Sequence, residues 1–148
     1  YLGKISNSWR TSGFITYTNG KTYDTKEPMS SIPPLFGQFE LNHKIDRFEL
    51  GAAIRFNAKK NIKDFNITEG IDNHDLTPIV NENTTEDLLK YAGSPSWITA
   101  GLNFRFAVNN NFSVLARLDN LLNQHYIEFA SGVASPGRNL SVSFMANF

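Results

Sequence analysis

The feature that most constrains this chain is an alternation of apolar with mostly polar side chains, repeated along its length and least clean in the first segment. Six segments show it, near residues 8–18, 35–44, 47–58, 96–108, 112–121 and 138–148. Successive side chains of a β-strand point to opposite faces of the sheet, so each segment predicts a strand with one apolar face. In the last segment the apolar positions are Leu140, Val142, Phe144, Ala146 and Phe148. An alternating strand of this kind is typical of a barrel wall in a membrane.

The connectors between these segments alternate between short and long. Residues 44–46 and 109–111 form tight turns, whereas residues 19–34, 59–95 and 123–137 form long polar loops. Short turns at one end and long loops at the other are typical of outer-membrane barrels. The 59–95 connector is too long for a hairpin in a compact soluble domain, and its polar composition is compatible with disorder. The sequence therefore predicts an all-β fold of about six antiparallel up-and-down strands.

Composition excludes several classes of function. The chain has no cysteine, so neither a disulfide framework nor a cysteine-based metal site is expected. Its 14 basic and 14 acidic residues balance, and no attraction to nucleic acid follows. The sequence contains no nucleophile elbow, HExxH motif or phosphate-binding loop. We therefore expect neither an enzyme nor a bound cofactor or metal.

Alternation alone leaves three architectures open. A soluble sandwich would bury the apolar faces in a core and serve as a binding module. A complete outer-membrane barrel of eight strands, with a structural or adhesion role, would need two more strands, and only the 59–95 loop has room for them. The third architecture is one part of a larger barrel. Aromatic residues near the strand ends favour a membrane barrel, where they form an interfacial girdle: Tyr17, Trp97, Phe106, Phe112 and Phe148.

Three motifs narrow the choice. The segment 28–37 reads P-M-S-S-I-P-P-L-F-G, the segment 118–126 reads L-D-N-L-L-N-Q-H-Y, and the segment 129–139 ends in P-G-R-N. In this order, and followed by a terminal phenylalanine, they resemble the late strands of TonB-dependent outer-membrane receptors. Leu122 stands where that family usually has Phe, and Asn123 where it has Asp. The residues that carry the resemblance are Pro33, Pro34, Gly37, Asn120, Leu121, Leu122, Asn123, Tyr126, Pro136, Gly137, Arg138 and Asn139.

Physical chemistry gives these residue types a reason to be there. Pro33 and Pro34 cannot donate to a sheet ladder, so they fit where a strand begins. Asn120 and Asn123 can bond local backbone groups where a strand leaves the sheet, and Leu122 is expected to act as an apolar wedge between them. Residues 136–137 form a Pro-Gly turn that leads Arg138 into the last strand.

The resemblance implies a barrel of about 22 strands with a plugged lumen, of which this chain would supply the last six. The long loops would then lie outside the cell, in the outer membrane of a Gram-negative bacterium. Phe148 would be the true end of the protein and the signal for the outer-membrane assembly machinery, whereas Tyr1 would not be its beginning. The implied partners are outer-membrane lipid, the plug and remaining strands, and TonB, which acts through an N-terminal region absent here. The implied function is import of an iron-siderophore, haem or cobalamin.

Ligand-contact candidates lie in the outer loops. His74 with Tyr91, or His125 with Tyr126, could contact an iron-bearing ligand, although surface polar residues are the commoner interpretation. The acidic side chains of the 59–95 loop match no EF-hand spacing, so a solvated loop is favoured over a calcium site. The charged residues predicted to face the lumen, as a salt-bridge lattice against the plug, are Arg10, Arg47, Glu49, Arg55, Arg105, Arg117 and Asp119.

Overall fold

The computed structural model describes residues 1–148 and consists of strands joined by turns and loops. The strands, in chain order, are β1 (Leu2–Lys4), β2 (Trp9–Thr16), β3 (Phe36–Ile45), β4 (Phe48–Asn57), β5 (Lys60–Asn61), β6 (Gly93–Ser94), β7 (Trp97–Ala107), β8 (Phe112–Asp119) and β9 (Asn139–Ala146). Seven of them form one antiparallel sheet in the order β1-β2-β3-β4-β7-β8-β9. The predicted all-β, antiparallel, up-and-down fold is confirmed.

The strand register places all the predicted apolar positions on one face. One row of directly paired residues crosses five strands: Leu41, Ala52, Leu102, Leu118 and Leu140. The next row, on the opposite face, is Asn42, Gly51, Asn103, Arg117 and Ser141. A slip of one residue in any pair would move an apolar row to the polar side, so the alternation itself fixes the register.

The apolar face of this sheet packs against nothing in the chain. Only 12 of the 148 residues are buried, and Phe65, a loop residue, is the single buried hydrophobic side chain with almost no exposure. In the middle of the sheet Leu102 is 48% exposed, and Phe144 in β9 is 69% exposed. A soluble sandwich would bury these residues between two sheets. The structure contradicts the sandwich alternative, and an apolar face of this kind fits contact with lipid.

The sheet is open, because β1 at one edge and β9 at the other do not pair with each other. The eight-stranded barrel alternative is therefore wrong. The sheet has seven strands where the alternation predicts six, and the additional strand is β1. Three residues are too few to show a period of two, and β1 is recognised only through its pairing with β2.

The 59–95 loop contains ordered structure of its own. Strands β5 and β6 pair at its neck. Between them lie 3-10 turns at Ile62–Asp64 and His74–Leu76 and one short helix, α1 (Asp87–Lys90). Gly93 has a φ of +79°, and a Cβ there would collide with the Lys60 carbonyl oxygen, so only glycine allows the two short strands to approach. No helix in the structure is long and apolar enough to span a membrane.

Aromatic pairs mark the end of the sheet where the short turns lie. Phe48 stacks on Phe106 with ring centroids 4.8 Å apart, and Trp9 stacks on His43 at 4.1 Å. Trp97 does not belong to such an apolar girdle. It pairs with Asn57 on the polar face, because it is one residue out of phase with Ile98.

Candidate ligand-binding site in the long loops

The three long connectors lie at the same end of the sheet. Neighbouring strands in the sheet are antiparallel and mostly consecutive in the chain. The connectors from β2 to β3, from β4 to β7 and from β8 to β9 therefore all lie at the same end of the strands. The turns between β3 and β4 and between β7 and β8 lie at the opposite end. Any site built by the long loops is therefore held by the ends of at least six strands.

Asn120 organises the exit of β8. Its side chain is buried, and its Nδ2 donates to the carbonyl oxygens of Gln124, at 2.9 Å, and Pro136, at 3.1 Å. Its Oδ1 accepts the Gln124 backbone N–H at 2.9 Å. The backbone φ of Asn120 is +50°, a left-handed conformation that asparagine tolerates better than most residues. One asparagine thus ties both ends of the 123–137 loop together.

Asn123 and Arg138 complete this tie. The Arg138 backbone N–H donates to Asn123 Oδ1 at 3.0 Å, and the guanidinium donates twice to the Leu121 carbonyl oxygen, at 3.1 and 2.8 Å. A Cβ on Gly137 would lie 2.9 Å from Asn123 Oδ1, which favours glycine there. We call the set Asn120, Asn123, Gly137 and Arg138 the asparagine clasp.

The other motif residues have simpler positions. Pro33 and Pro34 precede β3, and Gly37 is its second residue. The Tyr126 ring packs on Trp97 with centroids 4.2 Å apart. Leu122 is not an apolar wedge, because it is 57% exposed at the tip of the turn. Phe148 is fully exposed.

A buried ion pair holds the 59–95 loop. Lys60 Nζ lies 3.1 Å from Asp72 Oδ2, with side chains 5% and 0% exposed. Asp72 also accepts backbone N–H groups from Ser31 and Asn66, and Lys60 Nζ donates to the Ile32 carbonyl oxygen at 2.7 Å. The pair therefore connects the 59–95 loop with the 19–34 loop.

Lys60 reaches the third loop as well. Its Nζ lies 4.5 Å from the centroid of the Phe65 ring and 4.3 Å from that of Phe129, so two loops supply aromatic faces to one ammonium. Desolvation by burial lowers the pKa of Lys60 below its usual 10.5, although the hydrogen bond that Lys60 donates to Asp72 opposes this shift. Burial and the Asp72 carboxylate thus act on the Lys60 pKa in opposite directions at the place where the three loops meet.

The predicted ligand-contact residues separate into two places. His74 is buried, its Nε2 lies 2.9 Å from Asp87 Oδ2, and its ring meets Tyr91 edge-on at 5.8 Å. The other imidazole nitrogen, Nδ1, is buried and has no hydrogen-bond partner. His125 is exposed and lines a cavity to which neither His74 nor Tyr91 contributes. No group of three or more His, Cys, Asp or Glu residues converges as metal ligands.

Of the charged residues predicted to face the lumen, two arginines form ion pairs. Arg55 bonds Glu128 at 3.1 Å, and Arg117 bonds Asp119 at 2.9 Å. Elsewhere on this face a carboxylate is bonded by neutral amides instead of a cation. Glu40 Oε1 accepts hydrogen bonds from the side-chain amides of Asn42 and Asn103, each at 3.0 Å. The expected lattice exists only in part, and Arg10, Arg47, Glu49 and Arg105 make no ion pair.

A cavity of about 340 Å³ lies between the 59–95 loop and the 123–137 loop. We call it the interloop cavity. Its aromatic wall residues are Phe65, Trp97, Tyr126 and Phe129. Glu128, held by Arg55, and the exposed His125 also line it.

Several of these residues escape prediction from the sequence. Lys60, Asp72, Phe65 and Phe129 lie in loops, where side-chain periodicity carries no information. The partners Arg55 and Glu128 are 73 residues apart. The only local sign in the sequence is the pair of lysines at 59–60, which directly follows an alternating strand.

At the level of sequence, the chain matches no protein-family model and no curated protein. Solved structures do match its fold. The copper transporter OprC superposes with a TM-score of 0.75 at 20% identity, over 99% of this chain and 22% of that chain. The siderophore receptor PirA from Acinetobacter baumannii gives 0.68 at 16% identity, over 97% and 20%. The ferripyoverdine receptor of the outer membrane of Pseudomonas aeruginosa gives 0.60 at 17% identity, over 99% and 18%.

These likenesses establish the fold. The chain has the architecture of a portion of these receptor barrels, loops included, since nearly its whole length superposes. It spans about a fifth of the length of the structures it matches. The likeness that the sequence motifs indicate is therefore confirmed as a likeness of fold.

We expect the asparagine clasp to depend on hydrogen bonds more than on backbone conformation. Asn120→Gly keeps the left-handed backbone but removes three hydrogen bonds, and should destabilise the 123–137 loop by about 1–3 kcal/mol. Asn120→Ala adds backbone strain of about 1 kcal/mol. Proteolysis rates of the loop in the folded, membrane-inserted protein measure both. Asn19→Ala, an exposed residue without side-chain hydrogen bonds, is the control, and unchanged protection in Asn120→Ala would contradict the role of the clasp.

Lys60 and Asp72 should show strong coupling. Lys60→Met or Asp72→Leu alone leaves a buried charge unpaired and should destabilise the 59–95 loop by about 3–5 kcal/mol. The double variant should cost less than either single one, because the desolvation that lowers the Lys60 pKa disappears with the charges. Hydrogen exchange of the loop amides measures the effect. The exposed neighbour offers the control Lys59→Met, and additive effects of the two single changes would refute the coupling.

Proposed function

We propose that this chain is the C-terminal part of the barrel of a TonB-dependent outer-membrane receptor, and that the whole receptor imports a scarce metal-bearing nutrient. The observation that carries the proposal is the match of the sheet together with all three long loops to solved receptors and a transporter. The asparagine clasp adds independent support, because its residues are those of the family motifs and they converge in space.

The exposed apolar face supports the location. Its rows of Leu, Ile and Phe are stable only against a non-aqueous surface, and outer-membrane lipid supplies one. The outer membrane of a Gram-negative bacterium is accordingly the proposed site. The opposite face, with its amide network and ion pairs, suits a water-filled lumen and a polar plug.

The unpaired edge strands of the sheet support the proposed partners of this chain. β1 and β9 each present an unpaired row of backbone groups, which a barrel satisfies through its neighbouring strands. The remaining strands and the plug are therefore proposed partners, with TonB acting through a region outside this chain. The exposed Phe148 is proposed as the signal for the outer-membrane assembly machinery. This chain would supply barrel wall and outer loops and could not transport by itself.

The cargo class follows from what the loops offer. The similar solved structures are those of a copper transporter, a siderophore receptor and a ferripyoverdine receptor. Here no three metal-ligating residues converge, and the His74 imidazole is buried and bonded through Nε2 to Asp87. We infer that these loops contact the organic part of a chelate, of the iron-siderophore, haem or cobalamin class, more readily than the metal itself.

Uptake by cells that express the full-length polypeptide tests the proposal. The cells should lack their own receptors and be compared with and without TonB. Labelled ferric chelates, haem, cobalamin and copper ions form the panel. We expect accumulation of a chelate that requires TonB, since transport against a gradient needs energy from the inner membrane.

Cells carrying an empty vector give the background. Accumulation that is equal with and without TonB, or none for any member of the panel, would contradict the proposed function.

A further inference from the structure

The polar face of the sheet holds one carboxylate in a fixed position without giving it a cation. Glu40 Oε1 accepts hydrogen bonds from the side-chain amides of Asn42, on its own strand β3, and Asn103 on β7, each at 3.0 Å. Gly51 of β4 lies between these two asparagines, and a Cβ there would collide with both amides, so glycine is required at this position. Residues of neighbouring strands thus keep the carboxylate in place.

The second oxygen of this carboxylate is free. Glu40 Oε2 accepts no hydrogen bond, and it remains accessible on the polar face. No basic side chain of the chain forms an ion pair with Glu40. Arg10 pairs with Asn42 in the adjacent row of the register and does not reach it. The Glu40 charge is therefore positioned but uncompensated.

Small side chains open a trough beside Glu40. Ala53 lies directly across from Glu40 in the register, and Gly101 lies directly across from Ala53. On β8, Asp119 Oδ1 lies 3.5 Å from the position that a Cβ on Gly101 would take, so this carboxylate closes the other end. We call the set Glu40, Ala53, Gly101 and Asp119 the lumen trough. The cavity above it measures about 110 Å³.

The size and charge of the lumen trough define its occupant. Its volume of about 110 Å³ is below the roughly 300–1,000 Å³ of small-molecule pockets, so it suits the end of one side chain rather than a cargo molecule. Arg117 balances the Asp119 charge at 2.9 Å, which leaves the Glu40 charge as the net charge of the lining. Displacing water from an unpaired carboxylate costs free energy, and a cation offsets that cost. A basic side chain is the complementary occupant.

We propose that the lumen trough receives a lysine or arginine side chain of the plug, which pairs with Glu40 Oε2. This partner rests on the proposed function, in which a plug fills the lumen on the polar side of the sheet. The chain spans about a fifth of the length of the structures it matches, so the plug would belong to polypeptide outside this chain. The contact is made through one oxygen, because Oε1 already accepts two amides.

Hydrogen exchange of the full-length, membrane-reconstituted protein tests the proposal through the variant Glu40→Gln. The glutamine side-chain oxygen can still accept the Asn42 and Asn103 amides, so the sheet keeps its hydrogen bonds while the charge is lost. Amides in one plug segment that contains a lysine or arginine should exchange about tenfold faster than in the unmodified protein, because that segment loses its ion pair. Exchange in β3, β4 and β7 should stay unchanged.

Two variants on the same face serve as matched controls. Glu49→Gln removes a carboxylate that lies directly across from Lys44 and Arg105, and Arg10→Gln removes a basic group one row away from Glu40. Neither variant should change exchange in the responding plug segment. The same increase in Arg10→Gln would mean that Glu40 is paired within the sheet, and it would overturn the proposal.

The basic residues of the responding plug segment complete the test. Each is replaced by glutamine in turn, and one of these variants should raise exchange by a similar factor. Combined with Glu40→Gln, that variant should exchange no faster than either single variant, since the two groups act as a pair. Additive effects, or no plug segment that responds to Glu40→Gln, would refute the pairing. TonB-dependent uptake is measured separately, so a plug that is indifferent to Glu40→Gln leaves the receptor proposal to its own test.

Discussion

The whole structure depends on an apolar sheet face for which the chain provides no cover. Six strands contribute to it through the period-two alternation, namely β2, β3, β4, β7, β8 and β9, and the paired rows such as Leu102 with Leu118 keep it continuous across the strands. Burial of this surface is the main favourable term available to the sheet, at about 25 cal/mol per Å² of apolar area. The sheet is thus stable only where lipid replaces water on one side and further strands satisfy its two edges.

The loops are held by different interactions from those that stabilise the sheet. The asparagine clasp closes the 123–137 loop with side-chain-to-backbone hydrogen bonds, and the Lys60–Asp72 pair joins three loops around a single ammonium. Buried ion pairs contribute little net stability but strongly disfavour alternative arrangements that separate the charges. This explains how long polar connectors can support the ordered aromatic walls of the interloop cavity.

The sheet could be predicted from the sequence because the alternation is local and repeated. Sequence reasoning predicted the apolar face, the long and short connectors and the asparagine and Pro-Gly-Arg motifs that converge in the clasp. It missed β1, which is too short to show a period, and it placed Trp97 with the interfacial aromatics although Trp97 is out of phase with Ile98. It could not find Lys60 with Asp72 or Arg55 with Glu128, since such pairs depend on how loops fold back, which no local pattern encodes. Leu122 shows the same limit, because a motif position does not determine exposure.

The central claim is that alternate residues of one strand face lipid and an aqueous lumen. The chain has no cysteine, so once any cysteine in the rest of the full-length, membrane-reconstituted protein is replaced, spin labels can be attached to single cysteines introduced at positions 100–105 of β7. Collision with oxygen, which concentrates in lipid, should peak at positions 100, 102 and 104. Collision with a water-soluble nickel chelate should show no peak at those positions. Uniform access of the nickel chelate along the strand, or oxygen maxima at 101, 103 and 105, would contradict the account.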